Sequence, residues 1–205
     1  MIESIKNTAK EEAYWSERYQ KKSTGWDIGY PSEPIKTYID QLENKDLSIL
    51  IPGAGNAYEA EYLFQRGFKN VFVMDISALP LQNFKERIPT FPENQLIEGN
   101  FFEHVGQYDL ILEQTFFCSF EPTKENRRIY GQKMAQLLKP NGKLVGLWFD
   151  IPLIEGNVDK RPFGGTKSEY LAYLSPFFDV KTFDTSYNSI KPRAGQELFG
   201  IFVKQ

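Results

Sequence analysis

Residues 47–75, LSILIPGAGNAYEAEYLFQRGFKNVFVMD, constrain the fold of this chain more than any other stretch. An apolar run at 47–51 meets a turn at 52–55 that carries Gly53 and Gly55. A helical pattern at 57–66 is stopped by Gly67, and a second apolar run, 71–74, ends on Asp75. Strand, glycine loop, helix, strand and acid form the order of a βαβ nucleotide site. There the glycines admit a ligand to the backbone and the acid accepts hydrogen bonds from ribose hydroxyls. Asp75 stands 22 residues after Gly53, which matches that arrangement. The plainer alternative is two turn glycines and a strand-end cap. The third glycine of the dinucleotide pattern is absent, and Tyr58 stands in its place. A pyrophosphate needs close helix–strand packing there, whereas a ligand without phosphates does not.

The rest of the chain continues the alternation. Ser77 is placed to cap a helix running to about Arg87, with Pro80 near its first turn, where proline is tolerated. Strands are expected at 95–98, 108–113, 143–149, 177–183 and 197–203, and helices at 124–138 and 166–174. This pattern implies a parallel sheet with helices on both faces. Ligands bind such sheets outside the carboxyl ends of the strands. Those ends are 52–55, Asp75, 99–101, 113–115 and 149–150, so the site is expected to be shared among several of them. Ahead of the first strand, residues 8–21 read as a helix with Trp15 and Tyr19 four apart on one face. A loop at 23–31 carries Trp26 and Tyr30, and a second helix is expected at 34–42. The glycine- and proline-marked stretch 150–165 reads as a long loop of the kind that covers active sites.

Composition narrows the function classes. A length of 205 residues, 41% of them hydrophobic, suits one domain, 1–205. Seventeen Phe, eleven Tyr and three Trp suggest a core or pocket with aromatic walls. A net charge of −3 gives no basic face, so no nucleic-acid partner is expected. A single cysteine excludes an intrachain disulfide framework and offers no thiolate cluster for a metal. The N-terminus is charged and carries no apolar signal region, and no run of 18 apolar residues exists. No membrane association is therefore expected, and the default is a cytoplasmic monomer.

Five motifs in order carry a family resemblance: Trp15…Tyr19…Trp26, then Ile51-Pro52-Gly53-Ala54-Gly55, then Asp75-Ile76-Ser77, then Phe116-Phe117-Cys118-Ser119-Phe120-Glu121-Pro122, then the segment from Leu137 to Lys143. Together they resemble the thiopurine S-methyltransferase superfamily, and FFCSFEP is closest to its plant halide/thiol methyltransferase branch. The resemblance runs over about residues 13–203. It implies an α/β fold of the class I S-adenosylmethionine-dependent type: a Rossmann-like three-layer sandwich around a seven-stranded sheet of order 3-2-1-4-5-7-6, strand 7 antiparallel, with an N-terminal helical cover at 1–45 and the Rossmann-like core at 46–205. It implies S-adenosylmethionine as cofactor, S-adenosylhomocysteine as product and a small-molecule methyl acceptor. By position it assigns cofactor contacts to Trp15, Tyr19, Trp26, Gly53, Asp75, Asn100, Phe101 and Gln114. Tyr19 stands where members often have Trp, Asn100 replaces a common Asp, and Gln114 replaces the Arg or Tyr of different branches.

The physical chemistry is consistent with that implication. A sulfonium without phosphates suits the reduced glycine loop, and aromatic faces attract such a cation. In-line methyl transfer asks mainly for alignment. A thiolate or halide acceptor already carries its lone pair, so no catalytic base and no metal is required. Phe116, Phe117, Trp148, Phe149 and Phe163 are candidates for an acceptor pocket, with core packing as the alternative for each. His104, the one histidine, reads as a surface or capping residue and Cys118 as a small apolar one. Two other functions compete: a non-catalytic S-adenosylmethionine-binding protein of the same fold, and an NAD-dependent enzyme, which Tyr58 and the aromatic cover count against.

Overall fold

Period-two alternation sorts the strand side chains onto two faces. The computed structural model describes residues 8–153 and 161–205. Its strands are β1 (Ser48–Pro52), β2 (Asn70–Asp75), β3 (Leu96–Glu98), β4 (Tyr108–Gln114), β5 (Leu138–Phe149), β6 (Phe178–Thr185) and β7 (Glu197–Lys204). Ile49 and Ile51 of β1, Leu110 and Leu112 of β4, and Val145 and Leu147 of β5 enter one core. Leu50, Ile111, Leu144 and Trp148 enter the other. Central strands buried on both sides read as near-continuous apolar runs, which is how they stand in the sequence.

The strands form one sheet in the order β3-β2-β1-β4-β5-β7-β6. Neighbours from β3 through β5 run parallel, and β7 is antiparallel to both β5 and β6. This is the expected topology.

Helices cover both faces. Against the first core lie α2 (Glu33–Ile39), α3 (Tyr58–Gln65) and α4 (Ala78–Arg87), contributing Ile35, Leu63 and Phe84 among others. Against the second lie α5 (Lys124–Leu137) and α6 (Lys167–Leu174), contributing Tyr130, Met134, Tyr170 and Leu174. The predicted cap at Ser77 is present, its Oγ accepting from the Leu79 N–H at 3.4 Å, and Pro80 lies in the first turn of α4. The remaining helix, α1 (Thr8–Gln20), has no buried residue and lies across the carboxyl end of the sheet, where Ser16 Oγ meets Ser77 Oγ at 2.8 Å. Among the described residues no helix is long and apolar enough to cross a membrane.

Several boundaries differ from the sequence reading, among them that of α2, which stops at Ile39 rather than 42. The helix expected from Ala57 begins at Tyr58, because Ala57 is left-handed at φ 56°. Strand β5 begins at Leu138, which already pairs with Tyr108, and the turn at Pro140-Asn141-Gly142 is an irregularity inside the strand rather than its start. Strand β6 extends to Thr185, held by pairing with Leu198. The expected loop at 150–165 is pinned at its ends by an Ile151–Gly165 bridge, and residues 154–160 lie outside the described residues.

Candidate functional site

A cavity of about 480 Å³ opens at the carboxyl ends of the parallel strands, roofed by α1 and the loop that follows it. That volume is within the range of small-molecule sites. Trp15, Tyr19, Trp26, Gly53, Asp75, Asn100 and Phe101 all line it, brought together from four separate segments.

The roof is an aromatic cluster packed edge to face. Trp15 and Trp26 lie 5.3 Å apart at 86°, and Tyr19 and Trp26 5.9 Å apart at 85°. The Tyr19 hydroxyl reaches over the glycine loop, where a Cβ on Gly55 would stand 2.8 Å from it. Burial raises the Tyr19 phenol pKa, and the nearby Asp75 adds to the shift.

Asp75 anchors the floor. Its Oδ2 accepts from the Gly55 N–H and its Oδ1 from the Ser77 N–H, both at 2.9 Å. Burial pushes its carboxyl up to about 6, and the backbone N–H groups of Ser77, Gly55 and Ile76 oppose that rise. Within the same loop Ala54 N–H donates to Met74 O and Ala57 N–H to Ala54 O. Three amides of the glycine loop are therefore spent inside the protein. A pyrophosphate cradle needs such amides turned outward, so the geometry argues against a dinucleotide. Each Asp75 oxygen keeps lone-pair capacity for a hydroxyl donor.

The remaining predicted contacts are placed less simply. Asn100 Oδ1 accepts from the Phe102 N–H at 2.9 Å, and its Nδ2 donates to Thr8 Oγ1 of α1 at 3.0 Å, so the side chain ties the floor to the roof. Phe101 meets Phe116 edge-on at 5.1 Å. Gln114 is not in the main cavity. It accepts from Ser32 Oγ at 2.8 Å in a smaller cleft of about 60 Å³ behind the glycine loop, which shares Trp26, Gly53 and Thr115 with the main cavity.

Of the five acceptor-pocket candidates, Phe116 and Phe149 line the cavity. The other three do not, and each has a packing reason. Trp148 precedes the rim residue Phe149 on β5, so alternation turns it into the core against Phe183 and Phe202. Phe117 turns inward onto Tyr130 at 4.6 Å and Tyr170 at 5.2 Å. Phe163 is buried beside the cavity, its N–H donating to Cys118 O at 2.8 Å. His104 lies outside the cavity and pairs through Nε2 with the Tyr108 hydroxyl at 2.7 Å. Cys118, read from sequence as a small apolar residue, does line it, with burial raising its thiol pKa.

Three arginines that the sequence reading did not single out also line the cavity: Arg18 on α1, which donates to the Tyr14 hydroxyl at 2.9 Å, Arg193 and Arg161. Arg193 sits in a short turn, Lys191–Arg193, before β7. It donates to Trp26 O at 2.7 Å, stands 3.4 Å from buried Glu197 and lies 5.5 Å from the Phe149 ring centroid. Arg161 donates from Nε to Ser119 O at 2.6 Å and from Nη2 to both carboxylate oxygens of Glu11 at 2.9 Å, with Tyr14 and Trp15 under its guanidinium. The signal for Arg161 or Arg193 in sequence was only an arginine beside proline in an irregular segment. Apart from Glu197, their partners are distant in the chain.

Comparison with known proteins follows the same direction. The family model described as Thiopurine S-methyltransferase matches residues 10–204. A probable thiol methyltransferase 2 of Arabidopsis thaliana is 29% identical over 196 residues, covering 93% of this chain and 84% of that protein. Thiocyanate methyltransferase 1 of the same plant is 26% identical over 205 residues, covering 95% and 86%. In fold, the chain is similar to magnesium protoporphyrin IX methyltransferase from Synechocystis PCC 6803, solved with bound SAM. The TM-score is 0.70 at 14% identity, over 100% of this chain and 99% of that one.

Proposed function

The chain belongs to the thiopurine S-methyltransferase family, and on that premise we propose that its cavity aligns S-adenosylmethionine with a small acceptor that arrives as a soft anion. It is an S-adenosylmethionine-dependent methyltransferase acting on a small nucleophile. The observation that carries the finer reading is the charge inventory of the cavity wall. Three arginines line it, Arg18, Arg161 and Arg193; of its two carboxylates Glu11 is ion-paired with Arg161 and Asp75 accepts from the Gly55 and Ser77 amides, and the chain's one histidine is elsewhere. A general base must reach the proton it removes. With Asp75 assigned to the ribose and Glu11 to Arg161, no carboxylate or imidazole among the described lining residues is left for that task with an alcohol or an amine, whereas a thiolate, bisulfide, thiocyanate or halide brings its own lone pair.

When bound, the cofactor supplies a methyl group on a sulfonium centre. In this reading Asp75 accepts from its ribose, Trp15, Tyr19 and Trp26 face the cation, and Asn100 and Phe101 border the adenine. Gly53 lets it approach the loop, and Gln114 serves the amino-acid end from the neighbouring cleft. A cation against aromatic rings gains about 0.5–2 kcal/mol. Arg193 and Phe149 lie on the acceptor side, where a guanidinium attracts an anion and an aromatic wall strips its water. Desolvation raises the reactivity of an anionic nucleophile. We further read 1–205 as one domain, with residues up to 45 as its cover, acting as a cytoplasmic monomer. Sedimentation and fractionation test those last two points.

The test is calorimetric titration with S-adenosylmethionine, followed by an acceptor screen read as S-adenosylhomocysteine. Turnover is expected with bisulfide, thiocyanate, iodide or a small thiol. Turnover confined to alcohols or amines would remove the soft-anion reading.

A further inference from the structure

Strand β4 runs into a turn that needs support to exist. Thr115, a β-branched residue, sits at φ 55°. Side chains of that kind adopt the left-handed region only where the surroundings impose it, and such residues concentrate at functional sites. The support comes from Glu113. This residue is fully buried, and its Oε1 accepts from the Phe116 N–H at 2.6 Å and the Phe117 N–H at 2.8 Å. Its other oxygen, Oε2, is buried without a hydrogen-bond partner among the described residues, so the carboxyl's bonds run to the turn alone. Gly146 on β5 makes the room: a Cβ there would lie 2.6 Å from the Cβ of Glu113. Cys118 Sγ then closes onto Thr115 O at 3.0 Å and Ser119 Oγ onto Phe116 O at 2.6 Å.

The consequence is the placement of one ring. Phe116 lies so close over Gly53 that a Cβ on the glycine would come within 2.0 Å of it. The ring also meets Phe101 at 5.1 Å and Phe120 at 4.7 Å, joining the glycine loop to the far wall of the cavity.

We propose that Glu113 is a positioning residue of the methyl-transfer site: by holding the left-handed turn at Thr115 it seats the Phe116 ring against Gly53, the wall against which donor and acceptor are aligned. The proposal rests on the reading of the cavity as that site. Glu113 does not line the cavity and acts through Phe116. Burial, with Glu197 nearby, keeps its carboxyl neutral near pH 7, which makes glutamine a close replacement.

The experiment compares wild type, Glu113→Gln, Glu113→Ala and the double variant Glu113→Ala/Thr115→Gly. Each is assayed for kcat and KM with S-adenosylmethionine, and by amide hydrogen exchange without it. Misalignment of this kind costs about tenfold to hundredfold in rate. Glu113→Ala is expected to lose about that much kcat/KM, and the Phe116 and Phe117 amides should lose protection while the amides of β4 and β5 keep theirs. Glu113→Gln should retain both activity and protection, because its amide oxygen still accepts. The double variant should regain most of the lost activity, since glycine adopts φ near +55° without a Cβ penalty. Alanine with wild-type kcat/KM, or a loss that the double variant does not relieve, would overturn the proposal. Wild type that binds no S-adenosylmethionine would overturn the reading of the cavity, and this proposal with it.

Discussion

Asp75 has two jobs that pull its proton in opposite directions. Burial raises its pKa to about 6, while its amide partners, and ribose hydroxyls in the proposed complex, favour the charged form. Cofactor affinity should therefore be weak at pH 5, strengthen as pH rises through about 6, and level off above. Titrations of the Asp75→Asn variant should show that dependence flattened. Asp75→Ala should weaken binding by about 1.5–3 kcal/mol, the worth of hydrogen bonds to a charged group. Unchanged affinity would make Asp75 structural only. Glu113 gives a second pH signature. Its folded pKa, about 8, is raised above the ordinary value, so its stabilisation is present at low pH and is lost as pH rises through 8. Among the described residues, the ionisable groups electrostatically coupled to it are Glu197 on β7, Tyr130 on α5, Tyr170 on α6 and Cys118; the nearby cations are engaged elsewhere, Arg193 with Glu197 and Arg127 with Gly164 O. Melting curves between pH 6 and 9 should fall more for wild type than for Glu113→Gln.

At the scale of elements, α1 and the β1–α3 loop behave differently under mutation. Helix α1 buries no residue completely and holds its place through Asn100–Thr8, Ser16–Ser77 and Arg161–Glu11. Trp15→Ala should therefore leave the melting temperature of the free protein nearly unchanged while raising the cofactor Kd, by the equivalent of about 0.5–2 kcal/mol. A melting temperature that falls sharply with Kd constant would place Trp15 in the core instead. Gly53 is a tighter constraint. Its φ of 57° disfavours any side chain, and the Phe116 ring occupies the space a Cβ needs. Gly53→Ala should displace that ring and weaken binding by more than the backbone penalty of about 1 kcal/mol, which calorimetry would register.

For the whole molecule, the site is an arrangement of segments converging on one edge of the sheet, so ligand and fold stabilise each other. With cofactor at 100 times its Kd the free energy of unfolding rises by about 2.7 kcal/mol. For a chain of this size that raises the melting temperature by roughly 5–10 °C. The shift should persist in Glu113→Gln and shrink in Asp75→Ala at the same cofactor concentration. No shift in wild type at saturating cofactor would contradict the proposed site.

Much of this was legible in the chain itself. Strand alternation and the spacing from Gly53 to Asp75 carry the parallel sheet and its ligand edge, because both depend on neighbours within a few residues. The same local logic placed the Ser77 cap. The cavity wall after β4 and β5 was not legible that way. Phe116 and Phe117 are adjacent and chemically identical, yet one lines the cavity and the other is core, and the choice depends on a carboxyl three residues before and a left-handed threonine between. Trp148 and Phe149 divide likewise, by where the strand meets the rim. Gln114 was directed behind the loop by Ser32, 82 residues away in sequence. Arg161 and Arg193 acquired meaning from Glu11 and Trp26, 150 and 167 positions distant. Periodicity and loop chemistry are local and survive in a one-dimensional reading. Which face of a residue meets the cavity is set by long-range packing, and only the tertiary structure decided it.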